Sequence, residues 1–359
     1  MHIILETYFH FIKKLFLSQK EAEVIGLDIG ASVCRAVKLK RRLDGFEVVR
    51  WAAEPFNGTD EKPALTKIIE KLGAISRSCT VLASVSGKGT LIRYIDMPRM
   101  SSSDLHKAFA MEADKYFPFP RETVHIDCSI LDPKGKDKRM TVLAAAVKKD
   151  IVEARLKSLK DCGIEPSVIT IASVAVGNIF TRFSPATCTQ ASLAGKAVAI
   201  VDIGETFTTL IIMADGMPKF TRDIFIGVVD MARSLSNIAG VPLDQARALL
   251  ASGDVNGEKP DVARSIEAVL SNIVAEVRLS FDYFSTEKNL AVVRICLIGE
   301  AVQVPGVEPG FARHFDAPLV AWNPLEMIHI SAEAGNRDGL VTEGRRMATA
   351  LGLALSEYD

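Results

Sequence analysis

The chain has 359 residues, 48% hydrophobic and 24% charged, with a formal net charge of −1. That length and composition suit two or three packed globular units with a sizeable core. The charge balance lacks the basic excess of a nucleic-acid binder, so no nucleic-acid partner is expected, and proteins or small molecules take its place.

In chain order, the opening MHIILETYFHFIKKLFLSQKEAE sets Ile4, Leu5, Tyr8, Phe9, Ile12, Leu15 and Phe16 on one side at helical spacing, with Glu6, His10, Lys13 and Lys14 on the other. The spacing predicts an amphipathic leader over 1–23. Charges interrupt its apolar stretch and no small-residue cleavage site follows, which argues against a signal peptide. Three readings stay open: residues 3–17 lie on an anionic membrane surface, dock on a protein surface, or form a loosely ordered leader. No apolar run reaches the roughly 18 to 20 residues that a bilayer crossing needs.

Residues 24–39, VIGLDIGASVCRAVKL, read as a strand, an Asp-Ile-Gly turn and a second strand. Asp44-Gly45 then predicts a hairpin into FEVVRWAAEP. The same pattern returns at 198–212, VAIVDIGETFTTLII, followed by Asp215-Gly216 and PKFTRDIFIG. A three-stranded meander is therefore used twice.

Between the copies, residues 79–163 carry a different pattern of strands and two helices, a small α+β subdomain inserted in the first half. Its first helix is predicted from Ser102 to about Tyr116, capped by Ser102 or Ser103. Its second runs from about Lys149 to Cys162, with Gly163 as C-cap. The stretch SPATCTQASLAG marks the boundary between halves. Residues 229–288 are mostly helical in period, and a last unit runs from VVRICLIG to the helix EGRRMATALGLAL. The sum is a two-lobed α/β protein with one insertion per lobe.

A carboxylate at a strand end, followed by a glycine turn, has a definite use near phosphates. Turn amides form a concave nest for phosphate oxygens, and the aspartate can hold Mg²⁺ through its water shell. One such turn alone is best read as a tight turn with a satisfied carboxylate; the matched pair points to phosphate. Other chemistry fails on inspection. SVSGKGT echoes a P-loop tail, but Leu82 stands at the leading glycine and Gly89 where Ser or Thr should follow the lysine. The six cysteines fall singly with no C-x-x-C pair, and the six histidines are scattered, so no structural metal is expected.

DIGAS, DIGET and the late LIGEAVQVPGV resemble the two phosphate loops and the adenosine loop of the actin, sugar-kinase and Hsp70 superfamily. Within it, SSDLHKAFAMEADKYFPFP, LAAAVKKDIVEARLKSLKDCGIEPSVI, FTRDIFIG and EVRLSFDYF resemble the PilM-like family of type IV pilus assembly proteins, over roughly residues 10–355. The resemblance implies an α/β, two-lobed actin-like (ribonuclease H-like duplicated) fold with an FtsA-type inserted subdomain in the first lobe. Subdomain 1A would comprise 24–78, 164–185 and 343–359, and the inserted subdomain 1C 79–163. Subdomain 2A would comprise 196–228 and 290–342, and subdomain 2B 229–289.

It further implies an ATP and Mg²⁺ site. Asp28, Gly30, Ala31 and Ser32 match the first phosphate loop; Asp202, Gly204 and Thr206 match the second; Gly227, Gly299 and Glu300 complete the set. Asp28 and Asp202 would hold Mg²⁺ through water. Relatives of this family sit on the cytoplasmic face of the inner membrane and hold the N-terminal cytoplasmic peptide of the bitopic protein PilN, linking the pilus platform to its motors. The peptide groove lies between the first lobe and the insert, which makes Phe117 and Phe119 the partner-binding candidates.

The departures concern the adenosine end. Glu300 follows Gly299 where a second glycine is usual, Thr170 and Ala172 stand where acidic residues are common, and Arg247 and Leu250 replace the usual Glu and Lys near the ribose. No residue is identifiable for positioning the attacking water, so fast ATP hydrolysis is not expected. A scaffold is the leading expectation. The alternatives are an active actin-like ATPase or small-molecule kinase, or an FtsA-like membrane-tethered filament protein.

Overall fold

The first strand is apolar on both faces because it lies in the middle of a sheet. The structure, a computed structural model, describes residues 23–56, 58, 60–73, 79–133, 139–188, 193–252 and 260–358. The amphipathic leader lies outside the described residues. Strand β1 (Glu23–Ile29) buries all its residues but Glu23 and Asp28, and pairs antiparallel with β2 (Val33–Arg42) and parallel with β4 (Thr80–Val85). With β3 (Gly45–Pro55), β8 (Val168–Ile171) and β13 (His329–Ile330), these form a six-stranded sheet in the order β13-β3-β2-β1-β4-β8. A strand buried on both faces reads as a continuous apolar run, which is why VIGL does not alternate.

Helix α1 (Lys62–Leu72) makes the crossover from β3 to β4 and buries Ala64, Leu65, Ile68 and Leu72 against one face of the sheet. The other face is covered by a helix with hardly any polar side, Ala348–Ser356, in which all but the last residue are buried. Two glycines permit this close packing. A Cβ on Gly26 would stand 1.9 Å from the Ala350 carbonyl oxygen, and one on Gly352 would stand 2.1 Å from the Ala175 carbonyl oxygen.

The second copy of the meander repeats the pairing. Strands β9 (Ala197–Ile203), β10 (Thr208–Ala214) and β11 (Met217–Ile224) are antiparallel, and β12 (Val292–Ile298) joins parallel to β9, in the order β11-β10-β9-β12. Asp215 and Gly216 both have positive φ, 54° and 75°, as a two-residue hairpin turn requires. The first copy differs from expectation by one residue. There Arg42 pairs with Gly45, so Leu43 and Asp44 form the turn and Gly45 (φ 145°) enters β3. Among the described residues Leu43 and Asp44 keep negative φ, which a type I turn accepts with glycine in the last place. A long helix, Pro260–Lys288, covers this sheet, burying Val262, Ile266, Val269, Leu270, Ile273, Val274, Val277 and Phe284 at helical spacing.

The insert is a three-stranded antiparallel sheet with β7 (Arg139–Lys148) between β5 (Thr90–Pro98) and β6 (Val124–Asp132). β7 alternates buried and partly exposed residues along its length, the sign of one covered face. Helix α2 (Ser102–Glu112) supplies the cover through Leu105 and Phe109, and continues as a single 3-10 turn over Ala113–Lys115. Its N-cap is Ser101, one residue before the expected serines, whose hydroxyl accepts from Asp104 N at 3.1 Å. Helix α3 (Lys149–Asp161) ends at Gly163, at φ 73°, with Ile164 N donating to Leu159 O at 2.9 Å.

The chain divides into two compact units. Of the described residues, one holds those up to Ser84, Leu156–Ile179 and those from Asn323 on; the other holds those within Val85–Arg155 and Phe180–Trp322. The insert, threaded into the first half, thus packs with the second meander. β5 contacts β11, and the Tyr94 and Thr221 hydroxyls are 2.8 Å apart.

Candidate functional site

The two Asp-Ile-Gly turns are built alike. Gly30 N donates to Val33 O at 3.0 Å, and Gly204 N donates to Phe207 O at 3.0 Å. In each, a Cβ on the glycine would stand 3.0 Å from that same carbonyl oxygen. Space therefore favours glycine at these two places, while the hydrogen bond needs only a backbone N–H. Asp28, half-buried at the end of β1, accepts from the Ser84 hydroxyl at 2.8 Å on neighbouring β4. Ala31 is exposed and Ser32 is half-buried, with its carbonyl accepting from Phe56 N at 2.8 Å.

The second turn is more enclosed. Helix α5 here denotes Val228–Ala239, with α4 the preceding helix Ala172–Phe183. The first amides of α5, Val228 N and Val229 N, donate to Gly204 O at 3.0 Å and Glu205 O at 2.9 Å. Gly227, buried, leaves room for this approach: a Cβ there would lie 2.5 Å from Glu205 O. Gly299, at φ 90°, follows β12, and a Cβ would lie 2.2 Å from Asp202 Oδ1. Glu300 is half-buried and begins a 3-10 turn over Glu300–Gln303. Thr206 is exposed.

Two features of this turn were not read from sequence. Glu205 is nearly enclosed, its side chain 11% exposed, and Arg247 Nη1 from helix α6 (Leu243–Ser252) lies 2.6 Å from its Oε1. Among the described residues that oxygen has no aligned hydrogen-bond donor, so the contact is one of charge. Phe207 packs its ring beside Gly87 in the turn between β4 and β5, with 3.5 Å to a Cβ placed there. Phe225 lies 6.4 Å from Phe207 between ring centroids and carries the Lys88 ammonium 5.4 Å from its own. The second Asp-Ile-Gly turn and the insert's first hairpin thus share one aromatic joint.

One aspartate at each strand end is the donor type that would hold a hydrated Mg²⁺, while the Gly30 and Gly204 amides are already bonded to carbonyl oxygens of their own turns. In charge the second turn is unusual, because Glu205 adds an anion beside Asp202. Of the remaining departures, Leu250 is core and Thr170 and Ala172 are half-buried on β8 and α4.

The insert holds a cleft of about 190 Å³ between α2 and the edge strand β6, lined by His106, Phe109, Ala110, Arg121, Ile126 and Asp127 among others. His106 Nδ1 donates to Ser102 O at 2.7 Å, and its Nε2 lies 3.5 Å from Asp127 Oδ1. Phe109 stacks on Tyr116 at 5.3 Å and meets Phe117 edge-on at 6.2 Å. Phe117 is 4% exposed and belongs to the core, so it supports the cleft from beneath. Phe119 is half-buried, with the Lys148 ammonium 6.0 Å from its ring centroid. Met111, on the same helix, is 83% exposed. The His106, Ala110 and Ala113 spacing along one helix face was the available signal for this cleft.

Among the described residues no helix is long and apolar enough to cross a membrane. The fold is similar to that of the PilM-PilN type IV pilus biogenesis complex, with a TM-score of 0.78 and 22% identity over 94% of this chain and 99% of that one. It is also similar to ethanolamine utilization protein EutJ from Carboxydothermus hydrogenoformans, at TM-score 0.53 and 12% identity over 99% of both chains. An archaeal actin homologue matches at TM-score 0.50 and 14% identity, over 94% of this chain and 99% of its own. The family model for type IV pilus assembly protein PilM matches residues 26–358. The fold is therefore actin-like, and the chain belongs to the PilM family of type IV pilus assembly proteins.

Proposed function

We propose that this chain is a cytoplasmic actin-like scaffold of the type IV pilus inner-membrane assembly complex, binding the N-terminal cytoplasmic peptide of a PilN-like bitopic membrane protein on its inserted subdomain. The observation that carries the reading is the family match, which spans residues 26–358, a range that contains the insert. Such a scaffold needs a receiving surface, and the cleft between α2 and β6 supplies one. Its floor is apolar, Arg121 at its rim is exposed, and β6 is an edge strand, which an extended peptide can extend by main-chain pairing.

In this reading the partner holds the protein at the inner membrane, with residues 3–17 as a further surface contact, and the pilus platform and motor proteins are its other partners. Asp28, Gly30, Ala31 and Ser32, and Asp202, Gly204 and Thr206 with Gly227, Gly299 and Glu300, form the ATP and Mg²⁺ residues. Nucleotide there serves shape rather than turnover. The division into 1A, 1C, 2A and 2B is kept as part of the proposal.

The test is titration of a fluorescent peptide, matching the partner's cytoplasmic N-terminus, into the full chain. Binding on the order of micromolar is expected. Ala110 is exposed on the cleft's lip, so Ala110→Trp should fold and weaken binding about tenfold or more. Undiminished binding by the folded variant removes the peptide from this cleft.

A further inference from the structure

The second phosphate turn carries its own anion. Glu205 directly follows Gly204, and its side chain is 11% exposed while that of Arg247 is 41% exposed. The carboxylate is therefore fixed in the turn, whereas the guanidinium reaches it from α6 with much of its surface in water. The α5 terminus does not take the place of Arg247, because Val228 N and Val229 N are engaged by the turn's own carbonyl oxygens. Asp202 adds a second carboxylate to the same turn, held against Gly299. An anionic ligand entering here meets the Glu205 carboxylate with the Arg247 cation already committed to it.

Resting on the nucleotide reading above, we propose that Arg247 is a polyphosphate-binding residue held in reserve by Glu205. Without ligand, Arg247 neutralises Glu205. A polyphosphate offers several charged oxygens in the paired geometry that a guanidinium fork favours, and so draws Arg247 away from a single poorly aligned carboxylate oxygen. Glu205 thereby sets the threshold that a phosphate ligand must exceed. The ligand class is a nucleoside triphosphate or another polyphosphate, since a single phosphate group offers less charge to win the competition.

The test is calorimetric titration of Mg·ATP, and separately of inorganic tripolyphosphate, into the wild type, Glu205→Gln, Arg247→Met and the double variant, each first shown to be folded by thermal unfolding. Glu205→Gln should bind about tenfold tighter than the wild type and Arg247→Met correspondingly weaker. In the Arg247→Met background, Glu205→Gln should still improve binding, because it removes an anion left without its partner, but the double variant should stay weaker than Glu205→Gln alone, because the freed cation is gone. Pairing the two changes also guards against the instability of a buried carboxylate left alone. Equal or weaker binding by folded Glu205→Gln than by a binding wild type overturns this inference and leaves the nucleotide reading standing. If none of the four proteins binds either probe, the nucleotide reading falls and the inference falls with it.

Discussion

Gly26 has no room for a methyl group. A Cβ there would stand 1.9 Å from Ala350 O and 2.7 Å from Ala354 N, both backbone atoms of a buried helix, so Gly26→Ala must push that helix off β1. We expect a loss of about 2–3 kcal/mol, seen as a lower midpoint in urea with unchanged slope; an unchanged midpoint contradicts the packing described. Tyr94 gives a pH prediction. Its ring is half-buried but its hydroxyl is enclosed, and burial pushes the phenol from 10.0 up to about 12, against a smaller opposing effect of its hydrogen bond with Thr221. The unfolded chain ionises near the ordinary value and the folded chain higher. The contribution is therefore full below pH 10 and lost as pH rises through about 12. Tyr94→Phe should cost about 1 kcal/mol at neutral pH. The gap between wild type and variant in thermal midpoint should narrow between pH 10 and about 12; a constant gap counts against the enclosed hydroxyl. At this scale the two aspartates and their glycines were legible, because a strand, a carboxylate and a tight turn are neighbours in sequence. The Glu205–Arg247 contact was not, since nothing in the periodicity of either segment indicates which side chains meet across a fold.

The joint between the second turn and the first hairpin of the insert belongs to the scale of elements. Phe207 lies beside Gly87, Phe225 beside Phe207, and Lys88 over Phe225. Phe207→Ala removes the shared ring and should cost about 1–2 kcal/mol, less than a fully buried phenylalanine. Amide exchange in residues 86–90 should rise with it, while exchange in β1 stays as in the wild type; no change in that hairpin shows the two elements to be independent. The strands and helices themselves were largely readable, since β7 alternates at period two and Pro260–Lys288 keeps its apolar face for its whole length. The insert's neighbours were harder to foresee. Its place in the chain suggests the first meander, but β5 meets β11, and edge-to-edge contact between sheets leaves no mark in local sequence. The one-residue shift of the first hairpin turn has a similar cause, because Asp-Gly serves both as the centre of one turn type and as the end of another.

For the whole molecule, the proposal is that an actin-like chain in the PilM family has kept two phosphate turns while its inserted subdomain does the recognising. The family was legible from the order and spacing of several phrases along nearly the full length, and the family match over 26–358 agrees. The surface proposed to receive the peptide was legible only in part. The sequence singles out YFPFP in the insert, but Phe117 is core, and the proposed cleft is lined by a helix face and an edge strand that come together only on folding. The most direct test is hydrogen exchange across the full chain, with and without saturating peptide from the partner's cytoplasmic N-terminus. The account predicts slowed exchange concentrated in residues 105–128, along α2 and the near half of β6. Protection elsewhere, with these residues unchanged, would contradict it.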